Sequence, residues 1–157
     1  MTETIKITAE NIYQLDLTPV DKAIEKLLNN TDLATRSDDL GFEIDFPREE
    51  TDPRELSEIP EIRLWYLRLD ARYPWLPYLL DWRKEFSRYA AMLVPHQFNR
   101  VEGIQYNPEA LEIFVMGKIF VISDWLQEKG IFAPSKLKGM AKMLGYELDD
   151  SFFEVLQ

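Results

Sequence analysis

The 157-residue chain contains no cysteine. That absence removes disulfides, thiolate nucleophiles, thiolate zinc sites and iron–sulfur ligation together, and it fits a reducing compartment. Histidine is almost as scarce, since His96, in Pro95-His96-Gln97-Phe98, is the sole one. A single imidazole without a Gly-x-Ser-x-Gly elbow is a poor basis for nucleophilic catalysis, and His96 reads as a hydrogen-bonded turn residue beside a helix-ending proline. The six glycines stand apart, so no GxGxxG or GxxxxGK[ST] string exists to cradle a phosphate. The longest apolar stretch, Ile113 to Ile122, is interrupted by Gly117 and Lys118 and falls short of the ~20 residues a membrane span needs. The N-terminal stretch, Met1-Thr-Glu-Thr-Ile-Lys-Ile-Thr8, has neither an apolar signal core nor an Arg/Ser-rich presequence. No membrane insertion and a cytoplasmic location are therefore expected.

Positive charge is also in deficit. Eighteen Lys and Arg face 28 Asp and Glu, a formal charge of -10, and the resulting field repels phosphate backbones and anionic membranes. Nucleic acid is a poor partner for such a surface. The stretch from Lys136 to Phe153 has the outline of a helix-turn-helix with Lys136, Lys138 and Lys142 on its first helix. Its second helix carries Asp149, Asp150 and Glu154 where a DNA reader needs donors. Acidic pairs such as Glu49-Glu50 and Asp149-Asp150 lack the glycine-containing calcium-loop spacing and read as solvated surface and helix caps.

What the chain does have is apolar and aromatic mass: 46% hydrophobic residues, with four Trp, seven Tyr and nine Phe. A chain of this size buries roughly two-thirds of its unfolded surface, so it folds without help. Without a linker, repeat or low-complexity tract, residues 1–157 read as one domain and a monomer. The expected class is α+β: a mainly helical single domain with a few short strands and a central buried helix.

Ile5 and Ile7, then Phe42, Ile44 and Phe46, alternate with polar residues as short strands do. Thr18-Pro19-Val20-Asp21 reads as a capped helix start, with Val20, Ile24, Leu27 and Leu28 on its buried face. Asp52-Pro53-Arg54-Glu55 has the spacing of a capped helical turn, and residues 60–73 are expected to be helical although their apolar density would also suit a buried strand. A helical pattern resumes from Tyr78 to Val94, and Pro95 ends it. Asn107-Pro108-Glu109 is the best helix start in the chain, with an asparagine cap and proline in the first position. From Ala110 to Trp125 apolar residues point in every direction, which places that helix at the centre of the core. Ser135 is read as the cap of a later helix, and Asp149-Asp150 as the start of a last turn.

The stretch from Arg63 to Trp82 holds three of the four tryptophans, interleaved with three arginines and two aspartates. Its residues could form a core with internal Arg–Asp pairs. They are also the types enriched at protein-binding hot spots, and two acids among aromatics would suit a carbohydrate site. The candidate protein-binding residues are Arg54, Glu55, Arg68, Trp75 and Trp82; no catalytic, cofactor or metal residue is assigned.

Several phrases carry a resemblance to a known family. They are Ile44-Asp-Phe-Pro-Arg-Glu49, Asp52-Pro-Arg-Glu-Leu-Ser-Glu-Ile-Pro60, Tyr73-Pro-Trp-Leu-Pro77, Tyr89-Ala-Ala-Met-Leu-Val-Pro-His-Gln97, Asn107-Pro-Glu-Ala-Leu-Glu112 and Ser123-Asp-Trp-Leu126. From about Phe42 to Leu156 the chain closely resembles the chlororespiratory reduction 6 family of cyanobacteria and chloroplasts. The resemblance implies a non-enzymatic assembly factor for the photosynthetic NDH-1 complex. It would act on the peripheral arm and on the ferredoxin-like iron–sulfur subunit NdhI, in a cyanobacterial cytoplasmic form. It brings no catalytic residues with it. A chain so poor in cluster ligands would handle the polypeptide rather than its cluster. The alternatives are a small carboxylate-dependent hydrolase and a structural subunit of a larger complex.

Overall fold

A computed structural model describes residues 3–30, 40–52, 54–81, 85–99, 101–131 and 134–155. The chain opens with β1 (Glu3–Thr8), α1 (Ala9–Tyr13) and α2 (Thr18–Asn30), then returns as β2 (Leu40–Asp45). β1 and β2 pair in parallel, with Ile5 opposite Phe42 and Ile7 opposite Ile44. A parallel pair cannot be joined by a tight turn, and α1 and α2 lie in the connection. Thr8 caps α1 through its hydroxyl, which accepts from the Asn11 amide at 3.2 Å. The start of α2 differs from expectation: Asp16, not Thr18, supplies the acceptor, taking the Thr18 amide at 3.0 Å and its hydroxyl at 2.5 Å. An acidic side chain here also meets the positive end of the helix.

After the connector, a 3-10 turn (Leu56–Glu58) leads into α3 (Pro60–Arg72), which is helical as expected. A second 3-10 turn covers Leu76–Leu79, and α4 runs only from Ser87 to Leu93. The helical pattern read from Tyr78 onward is thus broken. Leu80 instead bridges Leu40 in parallel, and the Asp81 amide donates to the Leu40 carbonyl at 2.7 Å. The chain then forms an antiparallel hairpin, β3 (His96–Asn99) and β4 (Gly103–Tyr106), where only a turn was expected. Gly103 sits at φ 79, a left-handed conformation that glycine adopts without strain.

α5 (Pro108–Glu128) starts as the sequence indicates, with the Asn107 side chain accepting from the Ala110 amide at 3.0 Å. α6 (Pro134–Met143) begins one residue before Ser135, so Ser135 lies inside the helix rather than at its cap. α7 (Asp150–Val155) closes the described chain, capped by Asp149, which accepts from the Phe152 amide at 3.0 Å.

The core is organised by α3, whose Ile62, Trp65, Tyr66 and Leu69 are all buried. Trp65 and Tyr66 meet edge to face at 5.2 Å, and Phe42 of β2 packs edge-on against both, at 6.1 and 5.9 Å. The Trp65 indole N–H donates to the Asp16 carbonyl at 3.0 Å, tying α3 to the loop before α2. α5 buries Val115, Ile119, Ile122, Trp125 and Leu126 but leaves Ile113 74% and Phe120 44% exposed. It is therefore not surrounded on all sides, because among the described residues nothing packs over its outer face sufficiently to cover those two side chains.

Two buried polar clusters fix the packing. Lys118 of α5 is buried, pairs with Asp70 of α3 and donates to the Pro74 carbonyl at 2.9 Å. Asp70 also accepts from the Tyr89 hydroxyl of α4 at 2.8 Å. Three helices thus meet on one carboxylate. In the second cluster, Glu85 accepts from the Phe42 amide at 3.0 Å, Arg88 donates to the Phe42 carbonyl at 2.6 Å, and the two side chains pair at 2.6 Å. This ion pair occupies the edge of β2, where a third strand would otherwise bond.

Candidate docking surface

The expected site residues fall in separate places. Arg54 lies on the exposed connector, where its guanidinium bonds Asp52 at 2.8 Å and its carbonyl accepts from Arg48. The hydrogen bonds from Arg54 hold the Asp52 carboxyl below the usual carboxylate range, at about 2. Arg54, Arg48 and Asp52 line a cleft of about 490 Å³ together with Tyr13, Phe46 and Pro47. Tyr13 is 65% exposed, and its ring tilts over Phe46 at 5.4 Å. An exposed phenol held against a second ring and flanked by two guanidinium groups has the composition of a protein-binding hot spot.

Arg68 lines a second cleft of about 350 Å³ with Gln14, Asp16, Asp21 and Arg72. Asp21 is engaged there: Arg72 reaches it at 3.3 Å, and the Tyr73 hydroxyl donates to it at 2.6 Å. Leu15, in the same cleft, has φ 52, an uncommon conformation for a residue with a side chain. Arg68 is exposed on the outer face of α3, beside exposed Leu64 and Leu67.

Glu55 borders a third, mostly apolar cleft of about 560 Å³ with Ile104, Leu111, Met143 and Leu144. Its backbone amide donates to Glu58 at 2.8 Å, which starts the 3-10 turn. Trp75 is half-buried and stacks on Trp125 at 4.3 Å with the rings 7° from parallel. Much of its indole therefore serves packing against α5. Trp82 lies outside the described residues. Of the four described residues, Arg54, Arg68 and Glu55 line three different clefts; that of Arg54 includes Tyr13 and that of Arg68 the adjacent Gln14. The sequence did not single out Tyr13 or Phe46, because Tyr13 ends α1, Phe46 lies just beyond β2, and only the fold brings them together.

His96 does make hydrogen bonds, although as the first residue of a strand. Its Nδ1 lies 3.0 Å from the Val94 carbonyl oxygen, and its Nε2 lies 3.1 Å from the Ser57 hydroxyl. A serine, an imidazole and an orienting acceptor in line is the order found in nucleophilic catalysis. Here the serine is only 4% exposed, and it is not among the residues lining the neighbouring cleft, which His96, Gln97, Gln105 and Tyr106 border. The contact ties the 3-10 turn to the hairpin. Among the described residues no three His, Asp or Glu side chains converge as a metal site requires, and no helix is long and apolar enough to cross a membrane.

A family model described as chlororespiratory reduction 6 matches residues 7–155 of the chain. No solved structure matches it.

Proposed function

We propose that this chain, which belongs to the chlororespiratory reduction 6 family, binds the immature iron–sulfur subunit NdhI during assembly of the peripheral arm. The family is linked to assembly of the NDH-1 complex. The NdhI client, a cytoplasmic location and a role carried out by contact rather than by a reaction are part of this proposal. An assembly factor of this kind covers client surface until the proper neighbours arrive.

The observation that carries this reading is the exposed Tyr13 ring set against half-buried Phe46 and framed by Arg48 and Arg54. Aromatic rings supply contact area at low entropic cost, and guanidinium groups bind carboxylates in a fixed geometry. Because the body is strongly acidic, local arginines also determine which way an incoming client turns. Glu55, which lines a separate cleft, and Trp75, which stacks on Trp125, belong to the proposed contact set with them, and Trp82 joins it on sequence grounds.

Co-purification with tagged NdhI tests the proposal. Tyr13→Ala and the pair Arg54→Glu with Arg68→Glu alter exposed side chains and should leave the melting temperature nearly unchanged. Capture of NdhI should fall by about tenfold or more, as loss of a hot-spot residue does, and more steeply at low salt for the arginine variants. Folded variants that all capture NdhI normally would remove these residues from the site, and a wild-type chain that captures none would remove the client.

A further inference from the structure

Among the described residues, the outer face of α5 carries exposed apolar side chains to which the contacts described above give no role. Ile113 and Phe120 stand two turns apart on it, 74% and 44% exposed, with Met116 half-buried between them. Phe120 also touches Phe152 of α7, ring centroids 6.1 Å apart, so the stripe is bordered by a second aromatic.

Gly117 lies between the two exposed residues, in the middle of a 21-residue helix. Glycine is unfavourable there because the unfolded chain loses more freedom on becoming helical. A Cβ at this position would meet no atom within 4 Å, so packing within the described fold does not require the missing side chain. An apolar stripe with a glycine at its centre is the shape that lets another backbone approach closely.

The charges around the stripe indicate what approaches. Glu109, Glu112, Asp124 and Glu128 are exposed on α5, whereas Lys118, the helix's only basic residue, is buried against Asp70. Asp149 and Glu154 are exposed around α7, as is Asp150, which pairs with Lys138. A second copy of this chain would bring one acidic rim against another, and an anionic membrane would be repelled for the same reason.

We infer that the Ile113–Gly117–Phe120 face of α5 docks a helical segment of a client protein, apolar along one side and flanked by lysine or arginine. The mode is a helix laid along an apolar stripe, read at i, i+4 and i+7. The inference rests on the binding role proposed above but not on the identity of the client. It also accounts for an apolar stripe on α5 that the described residues leave partly exposed.

The test uses the full chain and a synthetic helix of about 18 residues, five helical turns. Its leucines and alanines lie on one side and its lysines at the ends, and a control peptide carries glutamate for lysine. Fluorescence anisotropy should show saturable binding of the lysine peptide to wild type. Binding should be weaker by about tenfold or more for Ile113→Asp, for Gly117→Leu and for the glutamate peptide. Gly117→Leu is the decisive variant, because leucine is the better helix former. Its melting temperature should hold or rise while binding is lost, a combination that a purely structural role for Gly117 does not produce. Equal binding by wild type and variants, no binding by wild type, or no preference for the lysine peptide would overturn the inference. So would a concentration-dependent dimer, or attachment to anionic phosphatidylglycerol vesicles, that Ile113→Asp abolishes. Failure to capture NdhI with intact peptide binding would refute the client and not this face.

Discussion

Tyr66 is the side chain whose chemistry least matches its surroundings. It is fully buried between Trp65, Phe42 and Tyr89, and its hydroxyl finds no hydrogen-bond partner among the described residues. A buried polar atom without a partner loses its hydration for nothing. Tyr66→Phe keeps the ring and removes that cost, so thermal denaturation should show a melting temperature that is unchanged or higher. Burial pushes the Tyr66 phenol well above its ordinary value of 10.0, and that of Tyr89, beside the Asp70 carboxylate, is raised as well. For an acid whose folded pKa is raised, the folded state holds the proton longer. Its contribution is complete below the ordinary value and lost as pH rises above it. Stability should therefore decline from about pH 10 upward, and less so in Tyr66→Phe; a pH series of melting curves without that difference would refute the assignment.

At the scale of elements, the parallel pair of β1 and β2 is too small to stand alone, and the α4 region completes it with side chains. Glu85 and Arg88 present an acceptor and a donor to the two backbone groups of Phe42, as a neighbouring strand would. Glu85→Ala leaves the Phe42 amide and the Arg88 guanidinium without that acceptor. The expected loss is about 2 to 3 kcal/mol in chemical denaturation, since a hydrogen bond to a charged group is removed and a buried charge is left exposed to its own desolvation. Amide exchange at Phe42 should accelerate more than exchange in α5, which supplies none of the hydrogen bonds described for this cluster. Uniform acceleration across both elements would instead mean that Glu85 supports global stability only.

For the whole molecule, a single set of buried residues runs from Ile5 of β1 to Phe153 of α7, so both ends of the described chain pack on one core. Small-angle scattering should give a radius of gyration of about 15 Å, the value for a compact chain of this length. It should not vary with concentration if the acidic surface keeps copies apart. An extended profile, or a tight dimer, would contradict both this expectation and the charge argument for the occupant of the α5 face.

Local rules determined what depends on neighbouring residues alone. The Asn107-Pro108 start of α5, the Asp149 start of α7, the alternation in β1 and β2 and the absence of thiol chemistry all follow from the chain as written. The helix over residues 60–72 was legible in part, because its apolar density suited either regular structure. Tertiary structure alone decided the rest. It broke the pattern after Tyr78 by drawing Leu80 onto Leu40, and it used Glu85 and Arg88 as a substitute strand. Among the described residues it also left Ile113 and Phe120 of α5 exposed and placed Arg54, Arg68 and Glu55 in three different clefts. Those outcomes depend on contacts between residues far apart in the chain. Periodicity shows that a face is apolar, but only the arrangement of the other elements determines whether anything covers it.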